Sequence, residues 1–159
     1  MTTRDTQLEI LENLTDLFNR IRTYYQPQMM AEFAEDGVTN SELEVIELIA
    51  ADDFPNVTKL AEKLYITRGA VSKITKKLIE KKLIASFQRA ENKKEIYFEL
   101  TDRGLAINER HQALHERFLD EEHELFAQLS AAEVADVLTF LGKYNQHLDK
   151  KLREKLSGN

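Results

Sequence analysis

Apolar residues between Asn56 and Glu80 recur at intervals of three and four, which predicts two short amphipathic helices. Asn56 and Thr67 precede them, and both residue types cap helix N-termini by accepting a first-turn amide. The inward positions of the first helix are Val57, Leu60, Ala61 and Leu64. Those of the second helix are Ala70, Val71, Ile74, Leu78 and Ile79. Only Tyr65 and Ile66 lie between Leu64, the last inward residue of the first helix, and Thr67, the cap of the second. The chain must therefore turn sharply between the helices.

A β-hairpin is predicted directly after these helices. Residues 83–88 are rich in strand formers, and residues 95–100 alternate apolar and polar side chains, which places Ile96, Phe98 and Leu100 inward. Residues 89–94 form a largely basic tip. Two short helices followed by a basic hairpin are typical of a winged helix, in which the hairpin, or wing, lies over the DNA backbone or enters the adjacent minor groove.

Long apolar stripes flank this unit. Residues 8–35 predict a helix that Pro27 bends or restarts. Thr101 caps a helix that runs to about residue 129, and a Ser130–Glu133 capping box opens a last helix. The stripe of the last helix comprises Val134, Val137, Leu138, Leu141, Tyr144, Leu148 and Leu152. One small core cannot cover both terminal stripes, which predicts a homodimer with interlocking terminal helices; a self-contained monomeric bundle is the alternative.

These elements predict a mostly α fold with a small β-hairpin wing: a winged helix-turn-helix core with N- and C-terminal dimerisation helices. We expect residues 1–159 to form one domain, with the core at 38–101 and the dimerisation helices at 5–36 and 102–156. No apolar run reaches bilayer length and no signal core follows the N-terminus, so we expect no membrane partner and a cytoplasmic location. The sequence contains no cysteine, which excludes disulfides and thiolate metal sites.

The charge distribution favours double-stranded DNA as the partner. Residues 67–94 contain nine Lys or Arg and two Glu, a local net charge of +7. Because the whole chain carries −6, the remaining residues carry −13. A basic segment on an acidic body directs DNA to one face. The candidate DNA-binding residues are Thr67, Arg68, Gly69, Ser72, Lys73, Lys76, Lys77, Arg89, Asn92, Lys93 and Lys94.

The basic segment has two other interpretations. A lysine-rich helix face can be merely solvated, and a winged helix can serve as a protein-interaction module that does not bind DNA. The exposed lysines and the basic wing together favour DNA. We expect no enzyme activity, because the sequence has no Gly-rich phosphate loop, nucleophile elbow or paired-carboxylate pattern.

The sequence resembles the MarR family of transcriptional regulators from about Leu8 to Leu156. The family's Leu-Ala-x-x-Leu motif is similar to residues 60–64, and its Leu-Thr-x-x-Gly motif is matched by residues 100–104. The resemblance implies a homodimeric regulator, here expected to be a repressor, that binds a pseudo-palindromic operator. It also implies that a small-molecule effector modulates this affinity, with no cofactor required.

Two positions depart from the family pattern. Where the family has glycine in a left-handed cap at the end of the recognition helix, this chain has Lys82, which predicts a strained or differently shaped cap. The family wing carries Asp-x-Arg, with the carboxylate steadying the arginine, whereas this chain has Asn92, Lys93 and Lys94. We therefore expect Lys93, Lys94 or Arg89 to be more mobile DNA contacts.

The resemblance implies an effector pocket between the dimerisation helices and the winged-helix core. The residues expected to line it are Phe18, Tyr25, Met29, Ile46, His111 and His115. His111 and His115 lie one helical turn apart, and zinc-sensing members of the family have similar metal ligands. Glu44 is the expected partner of a zinc ion at this histidine pair, although polar packing or pocket lining is the favoured interpretation of the pair.

Overall fold

The computed structural model describes residues 2–157, which form two compact units divided after Asn40. This described range contains six helices and one two-stranded hairpin. The elements are α1 (Thr3–Glu32), α2 (Asn40–Ala50), α3 (Val57–Leu64), α4 (Arg68–Glu80), β1 (Ile84–Arg89), β2 (Asn92–Leu100), α5 (Asp102–Phe126) and α6 (Ala131–Ser157). The predicted fold class is confirmed, and residues 1 and 158–159 of the predicted domain lie outside the described range. None of the described helices is long and apolar enough to cross a bilayer.

The first unit is built on α1, which begins at a capping box. The amide of Thr2 donates to Asp5 Oδ2 at 2.9 Å, and the amide of Asp5 donates to Thr2 Oγ1 at 3.2 Å. The helix continues through Pro27, so the predicted restart does not occur. A long apolar face of α1 is exposed in the single chain: Leu8, Ile10, Leu11, Leu17, Phe18, Ile21 and Tyr24.

Side-chain caps start four helices of the second unit. Each cap oxygen accepts a first-turn backbone amide that the helix itself cannot satisfy. The pairs are Asn56–Lys59 (2.9 Å), Thr67–Ala70 (3.2 Å), Thr101–Gly104 (3.2 Å) and Ser130–Glu133 (3.3 Å). The four predicted caps are confirmed, and with them the positions at which α3, α4, α5 and α6 begin.

The core of the second unit collects apolar residues from α2, α3, α4, the hairpin and α5. Its members include Leu43, Val45, Ile46, Ile49, Leu60, Ala61, Val71, Leu78, Leu83, Ile84, Phe98, Ile107, Leu114 and Phe118. The prediction that Ile79 faces inward was wrong, because Ile79 is 41% exposed. Thr75 is buried instead, since the positions 71, 75 and 78 form the inner stripe of α4 at intervals of four and three.

The inner face of the hairpin also differs from the predicted alternation. The strands pair antiparallel from Ile84↔Leu100 to Arg89↔Asn92. Tyr97 and Phe98 are both buried, whereas Ile96 is 50% exposed, so its predicted inward position was wrong. Tyr97 is buried because its ring packs against Phe54 and Phe87, with ring centres 5.8 and 5.7 Å apart. The segment before α3 also pairs with β2, since the amide of Phe98 donates to the carbonyl of Pro55 at 3.0 Å.

The recognition helix, the wing and α5 meet at the carbonyl of Leu83. The amide and the hydroxyl of Thr101 each lie 3.1 Å from this oxygen. Lys82, just before it, has φ of 59°, so of the two expected forms the strained left-handed cap is the one present. A Cβ atom added to Gly104 would lie 2.0 Å from the same oxygen. Glycine is therefore required for α5 to begin this close to the end of α4.

We predict that Gly104→Ala destabilises the fold by about 1–3 kcal/mol, because its methyl group must displace the backbone at Leu83. Urea unfolding followed by circular dichroism measures this free energy. The matched control is Gly142→Ala in α6, where no atom of residues 2–157 outside the local helix lies within 4 Å of the added Cβ. In a helix interior this change should stabilise by about 0.5–1 kcal/mol. Equal stability of Gly104→Ala and the unaltered protein would contradict the close packing.

Candidate nucleic-acid interface

The turn between α3 and α4 determines where the recognition helix points. Tyr65 ends α3 in the left-handed conformation, with φ of 54°, and the amide of Ile66 donates to the carbonyl of Ala61 at 3.2 Å. The Tyr65 hydroxyl lies 2.9 Å from Asp149 Oδ1, so it links this turn to α6. The hydrogen bond to the Asp149 carboxylate raises the pKa of Tyr65, which keeps the phenol protonated as the donor.

The outer face of α4 is polar and exposed. Val71, Thr75 and Leu78 face the core, with exposures of 0%, 3% and 0%. The side chains and backbone predicted to meet DNA lie on the opposite, exposed side: Thr67, Arg68, Gly69, Ser72, Lys73, Lys76 and Lys77. A recognition helix uses such a face to donate hydrogen bonds to base edges and phosphates in the major groove.

A buried ion pair fixes the C-terminal end of α4. Glu42 of α2 is 2% exposed, and its two carboxylate oxygens accept from Lys81 Nζ at 2.9 and 2.7 Å. Two bonds to one ammonium hold the end of α4 against α2. Lys81 therefore makes a structural contact, although it is one of the nine Lys or Arg residues counted in the net charge of residues 67–94.

The wing holds its cations in two different ways. Lys93 and Lys94 are exposed, and the amide of Lys94 is bound by Asn92 Oδ1 at 3.2 Å. Arg89 instead forms an ion pair with Glu91, and its guanidinium carbon lies 4.0 Å from the centre of the Phe54 ring. Arg89 is therefore held on two sides, unlike the mobile contact expected of it, and whether it touches DNA stays a prediction.

Three residues of a type that can bind a metal ion form a cluster in the second unit, apart from the surface of α4 and the wing. His111 Nε2 and His115 Nε2 are 3.1 Å apart, and Glu47 Oε2 lies 3.9 Å from His111 Nδ1. One ligand atom from each residue lies within 4.8 Å of the others, in a group that contains Glu47 where the sequence suggested Glu44. Burial lowers the pKa of His111, the nearby His115 lowers it further, and Glu47 opposes both effects. His111 therefore favours the neutral form that binds metals.

Comparisons with known proteins identify the family. A model of the MarR family matches residues 38–96. The HTH-type transcriptional regulator PchR of Bacillus subtilis (strain 168) is 32% identical over 127 residues, which cover 77% of this chain and 75% of PchR. The chain belongs to the MarR family. It is a MarR-family transcriptional regulator, as the sequence motifs suggested.

Solved structures of similar regulators share the fold. FabT of Streptococcus pneumoniae, in complex with DNA, superposes with a TM-score of 0.71 at 20% identity over 91% of this chain and 98% of FabT. The adhesin competence repressor AdcR of Streptococcus pyogenes gives a TM-score of 0.65 at 24% identity over 93% of this chain and 99% of AdcR. These likenesses confirm the winged helix-turn-helix architecture.

The effector pocket expected for a MarR-type regulator draws on both units. Phe18, Tyr25 and Met29 belong to α1 in the first unit, and the remaining residues, Ile46, His111 and His115, belong to the second. Within the second unit, an open groove of about 550 Å³ is lined by Glu47, Gln112, Ala113, His115 and Glu116. Ile46 is fully buried, so its side chain does not reach the surface of that groove. The complete pocket stays a prediction.

Three site residues escaped the sequence analysis. Glu47 follows Glu44 by three residues, so both fall on one face of α2, and the spacing gave no means to choose between them. Glu42 and Phe54 act through long-range contacts with Lys81 and Arg89. Glu42 is one of three glutamates in α2, and nothing in the local sequence distinguishes the one that is buried and therefore needs a cationic partner.

Proposed function

We propose that this MarR-family regulator acts as a homodimeric repressor that binds a pseudo-palindromic operator and releases it when an effector binds. The observation that carries the proposal is the exposed donor face of α4, which lies opposite a fully packed inner face. Arg68 lies at the N-terminal end of this helix, where recognition helices meet bases. Lys93 and Lys94 on the wing supply positive charge for the adjacent backbone.

The terminal helices support the dimer. α1 and α6 each carry large apolar side chains that the single chain leaves exposed, including Phe18, Ile21, Val137, Leu138 and Leu148. Continuous apolar surface of this kind is normally covered in the functional assembly. A second copy of the chain supplies matching surface through two-fold symmetry, and it brings a second recognition helix to the same duplex.

An effector controls such a dimer only through a difference in affinity between two conformations. A small molecule that prefers the arrangement in which the recognition helices do not fit successive major grooves shifts the dimer toward it. We propose a small organic molecule that binds beside α5 as the effector, with the groove at His115 as part of its site.

Zinc is a second candidate effector, and the Glu47–His111–His115 cluster favours it. Two nitrogen ligands of a tetrahedral zinc ion with bonds of about 2.0–2.1 Å lie roughly 3.3 Å apart. The two Nε2 atoms are 3.1 Å apart, and Glu47 adds a carboxylate oxygen within the same group. Three protein ligands of this type leave a fourth position for water or a further ligand.

The recognition helix is tested by Arg68→Ala and Lys73→Ala. Each should weaken operator binding by about 1–3 kcal/mol where it contacts a base, with smaller effects on random DNA. Fluorescence anisotropy with operator and scrambled duplexes at several salt concentrations measures both effects. Glu109→Ala, on the exposed side of α5, is the control and should leave affinity unchanged. Unchanged operator affinity in both α4 variants would refute the assignment of α4 as the recognition helix.

The metal alternative is tested by titrating chelator-treated protein with zinc chloride in a calorimeter. If zinc binds, His111→Ala, His115→Ala and Glu47→Gln should each reduce the heat and the accompanying change in operator affinity. Glu44→Gln is the matched control, because it removes a carboxylate on the same face of α2 but outside the cluster. Binding should weaken at acid pH, because the histidines must be neutral to bind metal. Absence of heat at micromolar zinc would eliminate zinc and leave the organic effector.

A further inference from the structure

Arg89 is held at both its hydrogen-bonding edge and its flat face. It is the last residue of β1, next to the turn of the wing, and its Nη2 atom pairs with Glu91 in that turn. On the other side, its guanidinium stacks over the ring of Phe54 at 4.0 Å. Arginine is suited to both contacts, because its group is planar, permanently charged and weakly hydrated.

Phe54 is itself fixed to the body of the second unit. Its ring packs edge-on against Tyr97 of β2, with ring centres 5.8 Å apart. Its amide donates to Asp52 Oδ1 at 2.9 Å, and its carbonyl accepts from Lys59 Nζ at 3.0 Å. The ring therefore offers Arg89 a support that belongs to the segment between α2 and α3. Through this stack the tip of the wing is attached to the segment that leads into the helix-turn-helix.

Arg89 contributes little free positive charge to the wing. Its charge is compensated by Glu91, whose carboxylate pairs with it inside the same turn. Lys93 and Lys94 follow on β2 and are exposed, so they carry the net positive charge of the tip. To contact DNA directly, Arg89 would have to break its ion pair with Glu91, its contact with the Phe54 ring, or both.

We propose that the Phe54–Arg89–Glu91 clamp is a positioning device, which holds the wing at the angle where Lys93 and Lys94 reach the DNA backbone while α4 occupies the major groove. Arg89 is a positioning residue that acts through the two lysines. The inference rests on the proposed reading of DNA by α4. Preorganisation of this kind raises affinity because the wing does not have to be ordered at the moment of binding.

A double-mutant cycle on operator binding tests the clamp. Arg89→Lys retains the charge but removes the planar group, and Phe54→Leu removes the aromatic face without changing any charge. Each should lower operator affinity about two- to fivefold per protomer, the size of an exposed cation–π contact. In a Lys93→Ala/Lys94→Ala background the same changes should have almost no effect, because a wing without its lysines gains nothing from being positioned. A purely structural role in stability would not produce this dependence on Lys93 and Lys94.

Two controls complete the experiment. Arg117→Lys alters another arginine that lies over a phenylalanine ring, that of Phe118 on α5, and should leave operator affinity unchanged. Lys73→Ala reports on the recognition helix independently of the wing. Thermal unfolding of every variant identifies any that fail to fold, and in that case the remaining clamp variant provides the test.

The outcomes separate the clamp from the proposed function. If Arg89→Lys lowers operator affinity by the same factor in the Lys93→Ala/Lys94→Ala background as in the unaltered protein, the clamp is overturned and Arg89 itself is a DNA contact. If the clamp and wing variants have no effect while Lys73→Ala weakens binding, the positioning role fails and the reading of DNA by α4 stands. If Lys73→Ala and Arg68→Ala also leave operator binding unchanged, the proposed function itself fails, and the clamp fails with it.

Discussion

The carbonyl group of Leu83 is where the recognition helix, the wing and α5 are joined. The left-handed cap at Lys82 turns the chain out of α4, and Thr101 then binds the Leu83 oxygen through its amide and hydroxyl. Gly104 allows α5 to start against this oxygen without a clash. The ends of the hairpin are thereby closed beside the end of α4. The direction of the wing relative to the recognition helix depends on this junction.

Two longer contacts extend that constraint. Glu42 and Lys81 hold the end of α4 on α2, and because the carboxylate is almost completely buried, loss of the lysine would remove a cationic partner from a charge that water reaches poorly. Tyr65 connects the turn before α4 to Asp149 of α6. The proposed recognition helix α4 is thus fixed at both ends to helices outside the helix-turn-helix. In the proposed dimer, a movement of α6 would therefore be transmitted to the turn before α4.

The sequence predicted what depends on local chemistry. Asn56, Thr67 and Thr101 define helix starts because their side chains cap nearby amides. The MarR-type motifs at residues 60–64 and 100–104 lie within α3 and at the start of α5. Contacts between distant segments were missed. Tyr97 is buried against Phe54 and Phe87, which alternation along β2 does not reveal, and Arg89 was expected to be mobile because nothing local reveals its stack on Phe54. The choice of Glu47 over Glu44 likewise depends on how α2 packs against α5, which helical spacing does not determine.

In the proposed dimer, two copies place two equivalent recognition helices on one face of a duplex. Hydroxyl-radical footprinting on an operator selected from genomic fragments, combined with sedimentation equilibrium of the same complex, measures this directly. We predict one dimer per operator and two protected half-sites whose centres lie about 10–10.5 base pairs apart. Binding of a single chain, or protection of one isolated half-site at saturation, would contradict the account.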